Sequence, residues 1–259
     1  MPTQRLTTAF DITLREAVST DAEAIFYLMR SAFLDTYLVY TVYQASQTLE
    51  FLRSLIPVQE FAVAESGTEI VGYYNAVPRN GYLFLNYIAV TPRIASQGVG
   101  TKLVLDCASK AGQNGCAGIE LDVFASNRRA VRWYERIGFE IVKSSHVYRL
   151  CLRKLPKPTT HPMAHSLELQ RALLEEQHHG FSKLACKYMA HEFLVGLIAG
   201  HTCKLLQSSD SLSDHDSAAA IAALFPHRSY LILRSNKPPV SSLPVADHQV
   251  SLRMRKSVI

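Results

Sequence analysis

Apolar and polar positions first alternate over residues 12–16, which predicts a short opening strand. Thr20-Asp21-Ala22-Glu23 has the hydroxyl-to-carboxylate spacing of a capping box, and a helix is predicted from there to about Phe33. A second helix, about 44–56, stops at Pro57. Residues 60–65 and 69–77, joined by Ser66-Gly67, predict a β-hairpin, and Asn80-Gly81 turns the chain into a third strand of this meander, 82–90. The next stretch, about 100–112, has helical period: Leu103, Cys107 and Ala111 share a face, with Lys102, Asp106 and Lys110 elsewhere. A strand at 118–124, a helix opening at Asn127, and strands near 140–143 and 147–154 complete the first part. Beyond it the pattern predicts an amphipathic helix at 164–179 closed by Gly180. Strands follow at 182–188, 193–198, 230–233 and 249–254, with a short helix at 217–225. No internal repeat and no low-complexity tract is visible.

Composition changes the picture near residue 155. Nine of the ten histidines but only three of the twelve glycines lie beyond it, and LPKPTTHP, from Leu155 to Pro162, has the composition of a linker. The expected organisation is a mixed α/β domain at 1–155, a linker at 156–162, and a small α+β module at 163–259. Hydrophobic content of 48% and charged content of 19% describe an ordinary globular protein. No apolar run approaches the roughly 18 residues that a membrane span needs, and the first residues carry no apolar leader core, so a cytoplasmic protein without membrane attachment is expected. The five cysteines form no CxxC pair and are expected to be reduced thiols. The net charge of +5, with no dense basic run, suits a polyanionic small molecule and does not point to nucleic acid.

Two stretches carry chemistry. Gln97, Gly98, Val99, Gly100 and Thr101 stand between a strand and a helix, where glycines turn backbone amides toward an anion and the helix N-terminus adds partial positive charge. A plain strand-to-helix turn reads the same way. A dinucleotide-binding fold does not fit, because Leu103 stands where the third glycine of GxGxxG belongs and the preceding strands form a meander. The second stretch, NRRAVRWYERIGF, places Ala130, Tyr134 and Ile137 on one helical face, with Arg128, Arg132, Glu135 and Arg136 pointing away. Taken alone, such a tyrosine reads as core, because buried tyrosines are common.

Together the two stretches resemble the GCN5-related N-acetyltransferase superfamily over residues 12–153. Gly98 and Gly100 match its pyrophosphate loop, and Asn127, Ala130, Tyr134, Gly138 and Phe139 match its later helix. Ala95 departs from the pattern, which has Arg or Gln there; Arg93 and Gln97 each lie two residues off. The resemblance implies a largely antiparallel central sheet flanked by helices. It also implies acetyl-CoA as donor and direct acetyl transfer to a primary amine of a small molecule or peptide. Tyr134 would be the general acid that returns a proton to the leaving thiolate. Backbone amides of Ile88, Ala89 and Val90 would hold the pantetheine arm and polarise the thioester, with Asn127 and Ala130 completing the cofactor site.

An attacking amine must first lose a proton, and no base identifies itself. Asn86 stands where a carboxylate would be convenient. Glu120 and Asp122 could act through water or be structural acids, and His146 falls in a predicted turn. Tyr37, Tyr40 and Tyr43, between the first two helices, are candidates for the acceptor site alongside Asn86, or simply pack there. The histidines after residue 160, including His161 with His165 and His178 with His179, lack further ligands at metal spacing, so no metal is expected. Alternation of Arg253, Arg255 and Lys256 with Leu252 and Met254 fits a half-exposed strand. Two alternatives stay open: a coenzyme A-binding regulatory protein of weak activity, and an N-terminal protein acetyltransferase resembling those of ribosomal-protein alanine. A homodimer is left open as well.

Overall fold

A computed structural model describes residues 11–155, 166–189, 191–208 and 213–258. The proposed linker and the His161/His165 pair fall outside these residues. In chain order the elements are β1 (Ile12–Glu16), α1 (Ala22–Ala32), α2 (Asp35–Leu38), α3 (Thr48–Leu55), β2 (Glu60–Ser66), β3 (Glu69–Arg79), β4 (Tyr82–Val90), α4 (Val99–Gln113), β5 (Gly118–Phe124), α5 (Arg128–Arg136) and β6 (Glu140–Cys151). They continue with α6 (Ser166–His179), β7 (Phe181–Tyr188), β8 (His191–Ile198), β9 (Thr202–Ser208), α7 (Asp214–Leu224), β10 (Tyr230–Ser235) and β11 (Val245–Ser257). Contacts divide the described residues into two compact units: 11–33, 55–119 and 257–258 in the first, and 34–54 with 120–256 in the second. This division runs differently from the compositional one, because residues 120–151 and the C-terminal strands share a unit.

In the first unit β1, β2, β3 and β4 form an antiparallel meander in that order. Asn80 and Gly81 both take positive φ, 51° and 77°, the geometry that lets a two-residue turn follow strand twist. α1 buries Ala22, Ile25, Phe26, Leu28 and Met29. Its entry differs from the expected capping box. The Asp21 carboxylate takes the Val18 amide at 2.8 Å and the Arg15 guanidinium at 2.6 and 3.0 Å, and Arg15 also reaches Glu65. An acid with a cationic partner thus occupies the position before the helix. α4 buries Val99, Leu103, Val104, Cys107 and Ala111. It lies so close to β3 that a Cβ on Gly72 would meet Leu103 at 3.1 Å and Val99 at 3.3 Å. The Tyr74 hydroxyl ties the same helix to β3 by donating to Asp106 at 2.7 Å.

In the second unit the strand order is β5-β11-β6-β10-β9-β8-β7. β6 is antiparallel to β11 on one side and to β10 on the other, β7-β8-β9 is an antiparallel meander, and β9 and β10 are parallel. The core gathers Tyr148, Leu150, Leu184, Val195, Leu197, Ile221, Leu231 and Leu233, all at most 2% exposed. Glu176 on α6 and Arg228 form a buried ion pair, and Glu176 also accepts the Gly200 amide at 2.9 Å. The carboxylate thus accepts three hydrogen bonds, the kind of compensation a buried charge requires.

The order of elements repeats. β2-β3-β4-α4-β5, then α5 and long β6, is answered by β7-β8-β9-α7-β10 and long β11, with no helix between the last two. Within the second unit β11, which follows β10 in the chain, lies between β5 and β6, while β6 lies between β11 and β10. The last strands of the two runs have changed places. The sequence shows no repeat because what recurs is topology, with different residues at each position.

Candidate active site

The first unit supplies the strand and loop singled out from sequence. Ile88, Ala89 and Val90 end β4, registered against Tyr74, Tyr73 and Gly72 of β3. The chain leaves the sheet with Thr91 donating its amide to Val71 at 2.8 Å, passes through a short 3-10 turn at Pro92–Ile94, and reaches Gln97 and Gly98, both exposed. Gly98 has φ +81° and ψ −2°, a left-handed conformation that glycine adopts without strain. It is the N-cap of α4, which has no acidic residue in its first turn and no side-chain cap. Amides at the start of a helix have no acceptor within it, and those of Val99 and Gly100 stand in that turn. The arrangement can bind an anion through backbone alone.

Nearby side chains are committed elsewhere. Arg93, two residues before Ala95, pairs with Glu69 of β3 at 2.5 Å, and the Lys102 ammonium lies 3.5 Å from the Ile12 carbonyl. Asn86 is exposed, and its amide donates at 3.3 Å to Asn75, which is 2% exposed and itself donates to Gln59 at 3.0 Å.

The second unit holds the other predicted residues. Asn127 caps α5, its Oδ1 accepting the Ala130 amide at 3.2 Å. The helix is closed by Gly138 at φ +91°, with Phe139 donating its amide to the Tyr134 carbonyl at 3.0 Å. Tyr134 is 6% exposed, its ring 4.6 Å from that of Trp133 and 5.4 Å edge-on to Phe139. Arg128, Arg132, Glu135 and Arg136 are exposed, as the helical period requires.

Tyr37 and Tyr40 both pack on Phe124 at the end of β5, at ring distances of 5.5 and 5.2 Å. The Tyr37 hydroxyl is 3.4 Å from Ser126, which donates to Gln249 at 2.8 Å, and the Tyr40 hydroxyl donates to Asp247 at 2.5 Å. Burial, and then this bond to a carboxylate, raise the Tyr40 pKa well above the usual phenol range, so Tyr40 keeps its proton. Tyr43 is 2% exposed.

Of the acids considered as bases, both are held by arginines that sequence proximity could not reveal. Glu120, 4% exposed, receives Arg255 at 2.6 and 3.0 Å and Arg253 at 3.3 Å. Asp122 receives Arg253 at 2.5 and 3.0 Å and Arg234 at 3.0 Å. The alternation of Arg253 and Arg255 along β11 was the visible signal, but not its target. His146 lies within β6 rather than in a turn, its ring stacked on that of His248 with the two nitrogens 2.9 Å apart. Strand register sets Tyr148 opposite His248 and Arg149 opposite Asp247, so the histidine pair and Asp247 face opposite sides of the sheet.

Lys204 on β9 was missed altogether. It is half-buried, 3.5 Å from the Tyr40 carbonyl, and burial together with Arg234 pushes its pKa down to about 8, against an opposing pull from Asp122. Cys107, Cys186 and Cys203 are buried, and burial pushes each thiol up to about 12, as expected of inert reduced thiols. Among the described residues no helix is long and apolar enough to cross a membrane, and no group of three or more side chains has metal-binding geometry.

Comparison with known proteins places these elements in context. A profile described as the acetyltransferase (GNAT) family matches residues 22–139. The uncharacterized N-acetyltransferase YhfO of Bacillus subtilis (strain 168) is 27% identical over 135 residues, 49% of this chain and 89% of that protein. The crystal structure of a GCN5-related N-acetyltransferase from Sphaerobacter thermophilus superposes with a TM-score of 0.64 at 17% identity, covering 95% of this chain and 96% of the other. A tandem GNAT protein from the clavulanic acid biosynthesis pathway also reaches 0.64, at 9% identity, over 95% and 98% of the two chains. At these identities the two solved structures show a shared fold.

Proposed function

We propose that this chain, whose residues 22–139 match the acetyltransferase (GNAT) family, takes acetyl-CoA as donor and transfers its acetyl group directly to a primary amine of a small molecule or peptide. The observation that carries the donor assignment is the left-handed Gly98 opening α4 with no acid in its first turn. In this reading the amides of Val99, Gly100 and Thr101, with Gln97 and Gly98, hold the diphosphate of coenzyme A. The backbone of Ile88, Ala89 and Val90 holds the pantetheine arm and polarises the thioester carbonyl. Ala95 removes a side-chain contact, and backbone amides carry the binding in its place. Asn127 spends its side-chain oxygen on Ala130, which leaves its amide group to reach the cofactor.

The chemistry then requires a neutral amine to attack the thioester carbonyl, the carbon–sulfur bond to break, and the thiolate to take a proton. Tyr134 is assigned as that proton's source. Tyr37 and Tyr40, fixed through Ser126 with Gln249 and through Asp247, are assigned to the acceptor side, with Asn86 as a further polar contact. Glu120 and Asp122, each held by arginines, are assigned structural roles. Proton removal from the amine then falls to water or to the acceptor's own equilibrium. A panel of amines and peptide N-termini, assayed for thiol release from acetyl-CoA, tests the proposal. Acceleration by at least one acceptor is expected, and no acceleration by any would contradict it.

A second reading, a coenzyme A-binding regulatory protein, is favoured by one observation: both candidate carboxylate bases are consumed by ion pairs. It expects coenzyme A binding with no turnover across the same panel.

A further inference from the structure

Within the second unit, Tyr40 lies over a sheet face that gathers cations. Register across three adjacent strands sets Arg149 of β6, Ile232 of β10 and Lys204 of β9 side by side, so their side chains share a face. Tyr40 clusters with Ile232 and Val147 on that face. Its carbonyl lies 3.5 Å from the Lys204 ammonium, and its hydroxyl donates to Asp247, which stands opposite Arg149 in register. Arg234, two residues along β10 from Ile232, is on the same face, and its side chain is 45% exposed. The row therefore meets solvent at that end.

The acids close by are committed to other groups. Asp122 receives Arg253 and Arg234, and Asp247 receives the Tyr40 hydroxyl. Lys204 is left with a carbonyl at 3.5 Å, longer than a good hydrogen bond. The Arg149 guanidinium sits 4.3 Å from the centre of the Tyr230 ring, and its buried Nε has no hydrogen-bond partner among the described residues. Half-burying two cations in this way is unfavourable, and the lowered pKa of Lys204 reflects it: burial is the larger cause and repulsion by Arg234 the second. An anion set among these side chains would offset both.

We propose that Lys204 and Arg149 form an anion subsite on the acceptor side, which takes the carboxylate or phosphate group of an amine that carries one. The proposal rests on the acceptor-side assignment of Tyr40 given above and deepens it by naming the acceptor's class.

Two measurements on the full chain test this, both at constant ionic strength so that general screening is held fixed. The first is thermal melting with inorganic phosphate and with succinate. Near saturation at least one of them should raise the melting temperature by about 2 °C or more. Lys204→Met should abolish that shift and Arg149→Met should reduce it. Lys204→Met removes a half-buried charge and is expected to fold, so it carries the test even where Arg149→Met does not. The second measurement compares matched acceptors: β-alanine with propylamine, and phosphoethanolamine with ethanolamine. In at least one pair the acid-bearing amine should have a kcat/KM about tenfold higher or more, the usual worth of a charge-assisted contact. Lys204→Met should bring that ratio toward one, chiefly through KM, and the pair with the larger ratio identifies the anion. Equal melting shifts in the wild type and Lys204→Met, or no shift at all, would overturn the subsite. Amines turned over without regard to the acid group would overturn it too, while leaving the transfer reading intact. A melting shift that depends on Lys204, in a chain that acetylates no amine, would instead overturn the transfer reading and with it the acceptor named here.

Discussion

At Tyr134 one phenolic oxygen is asked to carry the proton that the leaving thiolate needs, and the rest of the side chain is ordinary core, stacked against Trp133 and Phe139. Removing that oxygen while keeping the ring separates the two roles. Tyr134→Phe should lower kcat by about a hundredfold or more, the usual worth of a positioned acid, with the affinity for coenzyme A unchanged by calorimetry; an unchanged kcat would dismiss the assignment. Lys204 gives a second prediction at this scale. Its pKa in the folded chain, about 8, lies below the ordinary 10.5, so between those values the folded state binds fewer protons than the unfolded one. The burden of its charge is present in full below about pH 8 and is relieved as pH rises toward 10.5. Lys204→Met should therefore raise the melting temperature at pH 7 more than at pH 9.5, and an equal gain at both would contradict the buried-amine account. Residues with local roles were legible from sequence: Asn127 at a helix start, Gly98 at a turn, Tyr134 on an inward face. The partners of Glu120 and Asp122 were not, because Arg253 and Arg255 lie more than a hundred residues away and strand alternation gives a face without naming what it meets.

Among the elements, the α4–β3 contact decides how the candidate phosphate loop is held. Gly72 is the residue that permits it, with Leu103 and Val99 already 3.1 to 3.3 Å from where a Cβ would stand. Gly72→Val should destabilise the fold by about 1–3 kcal/mol, the common cost of overpacking, and should weaken coenzyme A binding in proportion to the shift of α4. Denaturant unfolding and calorimetry on the same variant measure both, and a variant of wild-type stability would show that the contact yields freely. The meander and its Asn80-Gly81 turn were readable because turn chemistry and period agreed. β6 was expected as two strands, since Ser144, Ser145 and His146 break the apolar pattern, yet it runs unbroken from Glu140 to Cys151 with partners on both sides. α3 begins at Thr48 rather than near Gln44, because the Gln44 side chain donates to the Val39 and Thr41 carbonyls and closes a turn there. β9, Thr202–Ser208, had no legible alternation and was not foreseen.

For the molecule as a whole, the exchange of last strands explains why composition suggested a boundary that the strands do not respect. β6 lies before the proline-rich segment, and both of its ladder partners, β10 and β11, lie after it. A chain ended at residue 155 would leave β6 with two bare edges and Glu120 and Asp122 without their arginines. Such a fragment is expected to be insoluble or to melt without cooperativity, and a soluble fragment with a single sharp transition would contradict this dependence. The repeated order of elements was hidden because the two runs share topology while their residues differ, as at the helix starts, Gly98 before α4 and Ser213 before α7.

The central claim is that this fold moves an acetyl group from coenzyme A to an amine. It is tested most directly by following thiol release from acetyl-CoA and acetylation of the acceptor, by mass spectrometry, in the same reaction. The account predicts one acetylated amine for every thiol released, at a rate that depends on the acceptor. Thiol release that leaves every acceptor unmodified, or coenzyme A that binds and is never turned over, would contradict it.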